Sequence, residues 1–393
     1  MEDSNKITEL LKNYKDLYDN GVISKEEYEE KKASLLESLN NSATEEKPKE
    51  SKIKLTKLQK GLIIGVAAVL ITGVWGYAIY RIVGLANSNK DQTIYKLKKD
   101  EVFYGYYPQT EMNAKKYYGG SAKFKELKAK IDTALGEGNP SSTNENGWTN
   151  YGFLINGTLL NHSYYKDVTV EGTKYRAVYL LEYRSNSTLS DEASQSYQKI
   201  AGYQRATRYY FRFDPIPWRK LETNDDKTLL MSVKALDAHE FSNKAISADQ
   251  TDLKPNNYKE SSIRNWLNTS FYQTAFNEKD QEKMVDIEVD NSLASTGDTE
   301  NSCTCENTSD KVTLLSASDI LNESYNLKDV SRRECPATDY AWIMGYSQDY
   351  WTRTPANGLG NAAKYVTNDG LFFKEEPTHR TYRGVVPVIE ITK

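Results

Sequence analysis

The sequence predicts an α+β fold for a large C-terminal domain, residues 101–393, preceded by a single transmembrane helix and a small helical hairpin. Three observations support this fold class. Beyond residue 100, short runs of β-forming residues alternate with turns and a few helical segments. Residues 61–80 form one uncharged apolar run. Ahead of that run, apolar residues recur at helical spacing on both sides of an Asn-Gly turn.

Charge and tyrosine are unevenly distributed along the chain. Residues 1–100 carry 17 basic and 15 acidic side chains, whereas the remainder carries 34 basic and 40 acidic ones. An acidic C-terminal domain predicts that nucleic acid is not a partner. Of the 29 tyrosines, 23 lie beyond residue 100. Such enrichment is typical of a β-rich domain, the interpretation we favour, or of an adaptable polar recognition surface.

The N-terminal hairpin, residues 1–40, is predicted to contain two short helices. Asn20-Gly21 ends the first helix, because both residues tolerate the left-handed conformation found after a helix C-terminus. Ser24 and Glu27 have the spacing of a capping box at the start of the second helix. The hairpin is either a self-association or docking module or a solvated helical pair. Residues 41–57 are predicted to be a flexible Lys-rich linker.

Residues 58–83 are predicted to form the transmembrane helix. Their apolar centre, GLIIGVAAVLITGVWGYAIY, is long enough as a helix to cross ~30 Å of hydrocarbon. Six lysines lie in the 15 residues before this centre, and only Arg81 and Lys90 lie in the 15 after it. The positive-inside rule then predicts a single-pass cell-membrane protein with a cytoplasmic N-terminus and an extracytoplasmic C-terminal domain. Residues 84–100 would be a juxtamembrane stalk.

The C-terminal domain is predicted to contain many short strands. KYRAVYLLEY and RYYFRF alternate apolar and polar residues, and KTLLMSV and KVTLLSA are apolar runs typical of buried strands. DPIPWRKLE is expected to break a strand and restart it, because proline has no amide hydrogen to donate to a neighbouring strand. Residues 113–205 include GEGNPSSTNENG, which predicts a loop or an insertion.

Residues 261–276, SSIRNWLNTSFYQTAF, mix large apolar side chains with hydroxyls and amides. Ile263, Trp266 and Leu267 fall on one face of a helix, and Phe271 continues that apolar surface. The polar residues occupy positions where helix caps and breaks are needed. The stretch is therefore predicted to pack in the core, with a binding surface as the alternative.

Cys303, Cys305 and Cys335 lie in the part of the chain placed outside the cell, where disulfides persist. Cys303 and Cys305 are too close in sequence to pair comfortably. One of them with Cys335 would close a loop of about thirty residues. The alternative is a zinc or copper(I) site made by the thiols with His239 or His379. Since no second closely spaced cysteine pair exists, we predict a disulfide or idle thiols, and no metal or other cofactor.

The segment DYWTRTPANG contains the candidate ligand-binding residues Tyr350, Trp351 and Arg353. Trp351 could stack on a sugar ring while the Arg353 guanidinium donates hydrogen bonds to it. In the alternative, which we favour, Trp351 is a core residue and Arg353 is the buried partner of a carboxylate or of backbone carbonyls.

Two parts of the chain resemble known families. DNGVISKEEY, within about residues 5–38, resembles the short C-terminal domain called SHOCT. YYPQTE, DPIPWRKLE, RNWLN, YWTRTP and GVVPVIEI, in this order within residues 101–393, resemble a bacterial family catalogued as domain of unknown function 6273. That resemblance implies a cell-envelope domain with the C-type-lectin-like fold of formylglycine-generating enzymes, and it brings no activity with it. Those enzymes use cysteines with copper, which supports the metal alternative.

No catalytic motif stands out, since G-x-S-x-G, H-E-x-x-H and phosphate-binding loops are all absent from the sequence. The sequence therefore predicts a membrane-anchored surface protein that binds glycan, peptidoglycan or another surface protein without catalysis. Two alternatives stay open. One is an envelope enzyme that depends on the cysteines and a metal, and the other is an oligomeric scaffold assembled through the hairpin.

Overall fold

The computed structural model of this chain divides it into two compact units, Met1–Ile79 and Tyr80–Lys393. The structure describes the second unit from residue 95 to residue 393, with gaps at 114–119, 137, 141–144, 152, 156–157, 161–162, 189–195, 244–253, 297–304, 357–359 and 372–373. The predicted hairpin, linker and transmembrane segment lie outside the described residues. Self-association through the hairpin and the cellular location stay predictions.

Most elements of the described part are strands. They are β1 Glu101–Glu111, β2 Thr149–Asn150, β3 Phe153–Ile155, β4 Thr158–Leu160, β5 Tyr164–Val170, β6 Thr173–Leu180, β7 Thr207–Thr223, β8 Lys227–Ser232, β9 Asp237–Ala238, β10 Met284–Val285, β11 Ile287–Val289, β12 Thr308–Asp310, β13 Val312–Thr313, β14 Tyr350–Pro355, β15 Ala362–Val366, β16 Lys374–Pro377, β17 Gly384–Val385 and β18 Val388–Thr392.

The α-helices are mostly one or two turns long. They are α1 Gly120–Leu135, α2 Tyr197–Ile200, α3 Ser262–Trp266, α4 Tyr272–Ala275, α5 Glu278–Lys283, α6 Ala317–Leu321 and α7 Asp339–Ile343, with a π-helical segment at Leu267–Phe271 between α3 and α4.

Among the described residues, two larger sheets contain most of the strands, and the pairs β3-β4 and β11-β12 form two-stranded sheets of their own. In the main sheet the strands follow the order β10-β18-β8-β7-β6-β5-β2, with β1 also paired to β7 and β13 also paired to β18, and all these pairs are antiparallel. The small sheet has the order β16-β15-β14-β17-β9, in which only β14 and β17 run parallel. Helix α1 covers β5, where Ile131, Leu135, Trp148 and Tyr164 belong to one buried cluster.

Strand β7 runs through both prolines of DPIPWRKLE without a break, so the expectation that the strand stops and restarts there is wrong. The reason lies in its partners. Strand β6 pairs with β7 up to Arg212, and β8 pairs with it from Trp218 onward. Pro215 and Pro217 lie between these two ladders, where the missing amide hydrogens cost little.

The stretch 261–276 packs in the core, as predicted. Ile263, Leu267, Phe271 and Ala275 are all buried and recur every four residues. In a regular α-helix, residues four apart drift around the axis by about 40°. The wider π-helical turn between α3 and α4 offsets this drift, which keeps all four side chains facing the core.

The predicted fold class, a C-type-lectin-like α+β domain behind a single transmembrane helix, needs correction. The structure shows a mixed, sheet-rich domain with some short helices. Most of these helices end after one or two turns, because turn-forming residues interrupt the helical spacing. Among the described residues, no helix is long and apolar enough to cross a membrane. The longest of them, α1, has 16 residues, six of which are charged.

Candidate functional site

The residues predicted to bind a ligand in β14 lie in the core. The Tyr350 hydroxyl donates a hydrogen bond to the Arg333 carbonyl at 2.9 Å. Trp351 is 1% exposed, and its indole N–H donates to the His239 carbonyl at 2.9 Å. Arg353 donates at 2.6 Å to the Asp319 carboxylate. These side chains therefore brace the fold from inside and present no surface to a ligand.

The cysteines do not form the expected bond. Cys305 is in a disulfide, whereas Cys335 is a free and buried thiol, and Cys303 lies outside the described residues. Burial raises the pKa of the Cys335 thiol to about 12. Because the thiolate is the nucleophile and the metal ligand, this cysteine is inert in the folded protein at neutral pH.

We expect the Cys335 thiol to react slowly with an aromatic disulfide reagent in native protein and rapidly once the chain is unfolded in denaturant, because both burial and the raised pKa are then lost. The measurement is the release of the coloured thiolate over time. In the Cys335→Ser variant, the unfolding-dependent reaction should disappear. Equally fast reaction of native and unfolded protein would contradict the buried position.

Within the described residues, no group of three or more histidine, cysteine, aspartate or glutamate side chains could hold a metal ion. Of the two candidate histidine ligands, His379 is half-buried, and its pKa is lowered by burial and by the nearby Arg380 cation. His239 instead lies beside a cavity.

That cavity has a volume of ≈ 240 Å³. It is bordered by strands β2 and β5, by the end of α3 with the π-helical segment, and by two connecting segments. The lining residues are Thr149, Asn150, Tyr151, Tyr165, Arg184, His239, Glu240, Trp266 and Ser270. We call Arg184, His239 and Glu240 the floor, because all three are buried. Tyr151, Tyr165 and Trp266 are the aromatic walls, and the exposed Thr149 and Ser270 are the rim.

The floor is held rigidly by Arg184. One guanidinium nitrogen donates to the carbonyls of Ala238 and Met344, both at 2.7 Å. Another lies 3.4 Å from the Glu240 carboxylate, which itself lies 3.4 Å from Nδ1 of His239. The buried carboxylate is thus balanced by a buried guanidinium, and neither charge is left without compensation.

The hydrogen bonding of His239 determines what its ring offers to the cavity. Nδ1 lies 2.8 Å from the Glu240 main-chain oxygen. A carbonyl oxygen can only accept, so Nδ1 carries the hydrogen, and Nε2 of the neutral ring is then an acceptor. Among the residues that the structure describes, Nε2 has no hydrogen-bond partner. The main chain of His239 is fixed by Arg383 and by the core indole of Trp351.

The walls come from distant parts of the chain. Trp266 ends α3, and its ring lies 5.0 Å from the His239 ring at an angle of 35°. The Tyr151 hydroxyl lies 3.1 Å from the Ala238 carbonyl and 3.3 Å from the Asp237 carboxylate. Burial, followed by the Asp237 charge, raises the pKa of Tyr151, so this phenol stays protonated.

Beneath the floor lies the buried carboxyl of Asp237. Burial raises its pKa above the usual value, while hydrogen bonds from the Tyr107 hydroxyl at 2.7 Å and from the Ala238 amide oppose the shift. Because Tyr151 and Tyr107 approach the two oxygens of this carboxyl, Asp237 links a cavity wall to the protein core.

Most of the cavity was not anticipated. His239 was considered only as a metal ligand, and Tyr151, Arg184 and Glu240 were not singled out. The sequence placed Trp266 on the same helical face as Ile263 and Leu267. Its position nevertheless falls outside the four-residue repeat of the buried side chains Ile263, Leu267 and Phe271. An aromatic residue beside such a repeat, and not within it, is a candidate surface residue.

Two family models match the chain. Residues 225–392 match the domain of unknown function DUF6273, and residues 9–36 match the short C-terminal domain SHOCT. The two predicted family resemblances are confirmed over these residues, a narrower range than 101–393 for the first. No curated protein and no solved structure matches the chain, so the C-type-lectin-like fold has no support. The chain is therefore similar to DUF6273 over residues 225–392, less than half of its length, and to SHOCT over residues 9–36.

Proposed function

We propose that this chain is a non-catalytic binding protein whose cavity holds one ring of a glycan. The observation that carries the proposal is the combination of three aromatic walls with a buried polar floor. Sugar rings present C–H groups on their faces and hydroxyls around their edges. Aromatic side chains suit the faces, and a few fixed polar groups suit the edges.

The size of the cavity fits a single ring. Its ≈ 240 Å³ is smaller than the roughly 300–1,000 Å³ of pockets that enclose whole drug-sized ligands. The rim residues Thr149 and Ser270 are exposed, which leaves room for the rest of an oligosaccharide to continue into solvent. A terminal or internal residue of a longer glycan is therefore a better match than a compact, fully enclosed metabolite.

The chemistry of the described residues also favours binding over the cysteine-dependent reaction. The Cys335 thiol is buried away from the cavity lining, and its raised pKa keeps it protonated at neutral pH. His239, in contrast, lines the cavity with its ring 5.0 Å from the Trp266 ring. Recognition at the cavity uses groups that are already positioned, so little ordering is required when the ligand binds.

The test is the Trp266→Ala variant of the full chain, assayed on a glycan array and then by calorimetry with the glycans that bind. Loss of a stacking wall is expected to cost about 2 kcal/mol, a roughly thirtyfold loss of affinity. Tyr106→Ala is the matched control, because Tyr106 is 52% exposed on β1 and does not line the cavity. Retention of no glycan by the wild-type chain, or undiminished binding by Trp266→Ala, would refute the proposal.

A further inference from the structure

We infer that the cavity selects an uncharged sugar residue, such as an N-acetylated amino sugar, and rejects the same sugar when it carries a free, cationic amine. This inference rests on the proposed glycan binding and adds the class of ligand. It comes from the positions of the charges around the three aromatic walls.

Two walls already have a guanidinium close to the ring. Arg184 lies 5.1 Å from the centre of the Tyr151 ring, and Arg176 lies 4.2 Å from the centre of the Tyr165 ring. Arg176 is buried and lies outside the cavity lining. Aromatic rings attract cations through their electron-rich faces, but here that attraction is already used. Each guanidinium is itself paired with a carboxylate, Arg184 with Glu240 at 3.4 Å and Arg176 with Asp167 at 2.7 Å. A ligand ammonium between these walls would therefore lose its water without gaining a free negative charge, which is costly.

The third wall is occupied in a similar way. The centre of the His239 ring lies 5.0 Å from the centre of the Trp266 ring, so an imidazole already lies alongside this indole. Within the cavity, the Glu240 carboxylate is the group that would attract an ammonium. Its charge is already balanced by Arg184 at 3.4 Å, and its other oxygen lies 3.5 Å from the Ser262 hydroxyl. The acid therefore offers little further attraction to a cation.

Anionic sugars are disfavoured by the same floor. Glu240 borders the cavity directly, and the Asp237 carboxyl lies just below Tyr151. The guanidinium of Arg184, which would have to receive an anion, is committed to the carbonyls of Ala238 and Met344. Because the cavity disfavours both a cationic and an anionic ligand, an uncharged ring remains the favoured ligand.

A neutral ring must still satisfy the acceptor that the floor presents. Nε2 of the neutral His239 ring requires a donor, and both a sugar hydroxyl and an acetamide N–H can supply one. An ammonium is a donor too, so hydrogen bonding alone would not separate the two ligands. The discrimination comes from the cost of desolvating an ammonium where the nearby carboxylates are already paired with Arg184 and Arg176. An experiment must therefore vary the charge of the ligand while keeping its ring constant.

The experiment uses the full chain with two probes: the β1,4-linked trimer of N-acetylglucosamine and its fully N-deacetylated counterpart. Both are titrated by calorimetry in the same mildly acidic buffer, where the free amines are protonated. The acetylated trimer is expected to bind at least about tenfold more tightly. In mildly alkaline buffer, where the amines lose their protons, the difference should shrink. Equal binding, or tighter binding of the cationic trimer in acid, would overturn the selectivity.

Variants of the rim residue Thr149 distinguish the charge selectivity from the proposed glycan binding on which it rests. Thr149→Glu adds a negative charge at an exposed lining position and should raise the affinity for the cationic trimer, whereas the uncharged Thr149→Gln should not. If the acetylated trimer binds and Trp266→Ala abolishes that binding, glycan recognition stands whatever the charge preference. If neither trimer nor any other glycan depends on Trp266, the proposed function itself fails, and the selectivity fails with it.

Discussion

Replacing Gly105 with alanine is expected to destabilise the domain by about 3–5 kcal/mol. Gly105 has a φ of 65°, in the left-handed region that residues with a Cβ avoid. It lies at a register shift of β1, where the strand passes the end of α4. A Cβ at this position would lie 2.6 Å from the Ala275 carbonyl oxygen and 2.7 Å from the Phe276 ring. Strand and helix would have to separate, and urea denaturation measures the loss.

Gly202→Ala is the matched control for that substitution. Its φ of 86° is equally left-handed, but nothing lies within 4 Å of the added Cβ. This variant should therefore show only the backbone cost, about 1 kcal/mol. The difference between the two variants isolates the close approach of β1 to α4. Equal losses of stability would show that this contact is looser than the structure indicates.

Asn268→Ala is expected to cost about 3 kcal/mol, because it removes the side chain that ties the π-helical segment to β13. The Asn268 amide group donates to the carbonyls of Arg264 and Val312 at 3.0 and 2.9 Å. Its oxygen accepts from the Lys311 and Val312 amides at 2.9 and 3.1 Å. Alanine removes all four hydrogen bonds; the Arg264 carbonyl keeps the Leu267 amide as a donor, whereas the main-chain groups of Lys311 and Val312 lose the Asn268 side chain. Thermal or urea unfolding reports the penalty.

Asn265→Ala provides the comparison, since Asn265 is exposed one turn earlier on α3. It should change stability by no more than about 0.5 kcal/mol. A second measurement extends the prediction to the cavity. Trp266 and Ser270 flank Asn268 in sequence, so glycan affinity should also fall in Asn268→Ala and stay unchanged in Asn265→Ala. An intact cavity with full affinity in Asn268→Ala would mean that other contacts hold the π-helical turn.

Local patterns carried the predictions that the structure confirms. The helical spacing of Ile263, Leu267 and Phe271 marked a buried face before any partner was known, although the same spacing placed Trp266 on that face, and Trp266 is only half-buried beside the cavity. Ser261 caps α3 by accepting a hydrogen bond from the Arg264 amide, which agrees with the expectation that polar residues of this stretch supply helix caps. Alternation predicted a strand for the residues that form β6, which lies inside the main sheet. These features depend on neighbours a few residues away.

Features that depend on distant neighbours were missed, misjudged or left with two interpretations. For Trp351, an aromatic residue among polar ones, both a stacking surface and a core position were open, and the favoured core position is the one that the structure shows. Its burial is decided by Phe241, 5.7 Å away, and by His239, both more than a hundred residues earlier in the chain. The prolines of β7 looked like strand breakers until the changeover from β6 to β8 was known. Composition and periodicity do not encode such pairings.

The cavity shows this most clearly, because its lining combines residues that no local pattern connects. Tyr165 reaches it through the register of β5 against β2, and Arg184 follows β6. His239 follows β9, and Trp266 comes from α3. Each is ordinary in its own segment. Only the assembled sheets bring a guanidinium, an imidazole and three aromatic rings to one place.

The position of strand β7 has a consequence for a chain that contains only the region matched by the DUF6273 model. The region matched by the family model begins at residue 225, just after this strand, yet β8 pairs directly with β7. A chain cut at that boundary would carry a bare sheet edge prone to aggregation. It would also lack Tyr151, Tyr165 and Arg184, three of the residues that line the cavity. The matched region thus supplies only part of the main sheet and of the cavity lining, and the residues before 225 supply the rest.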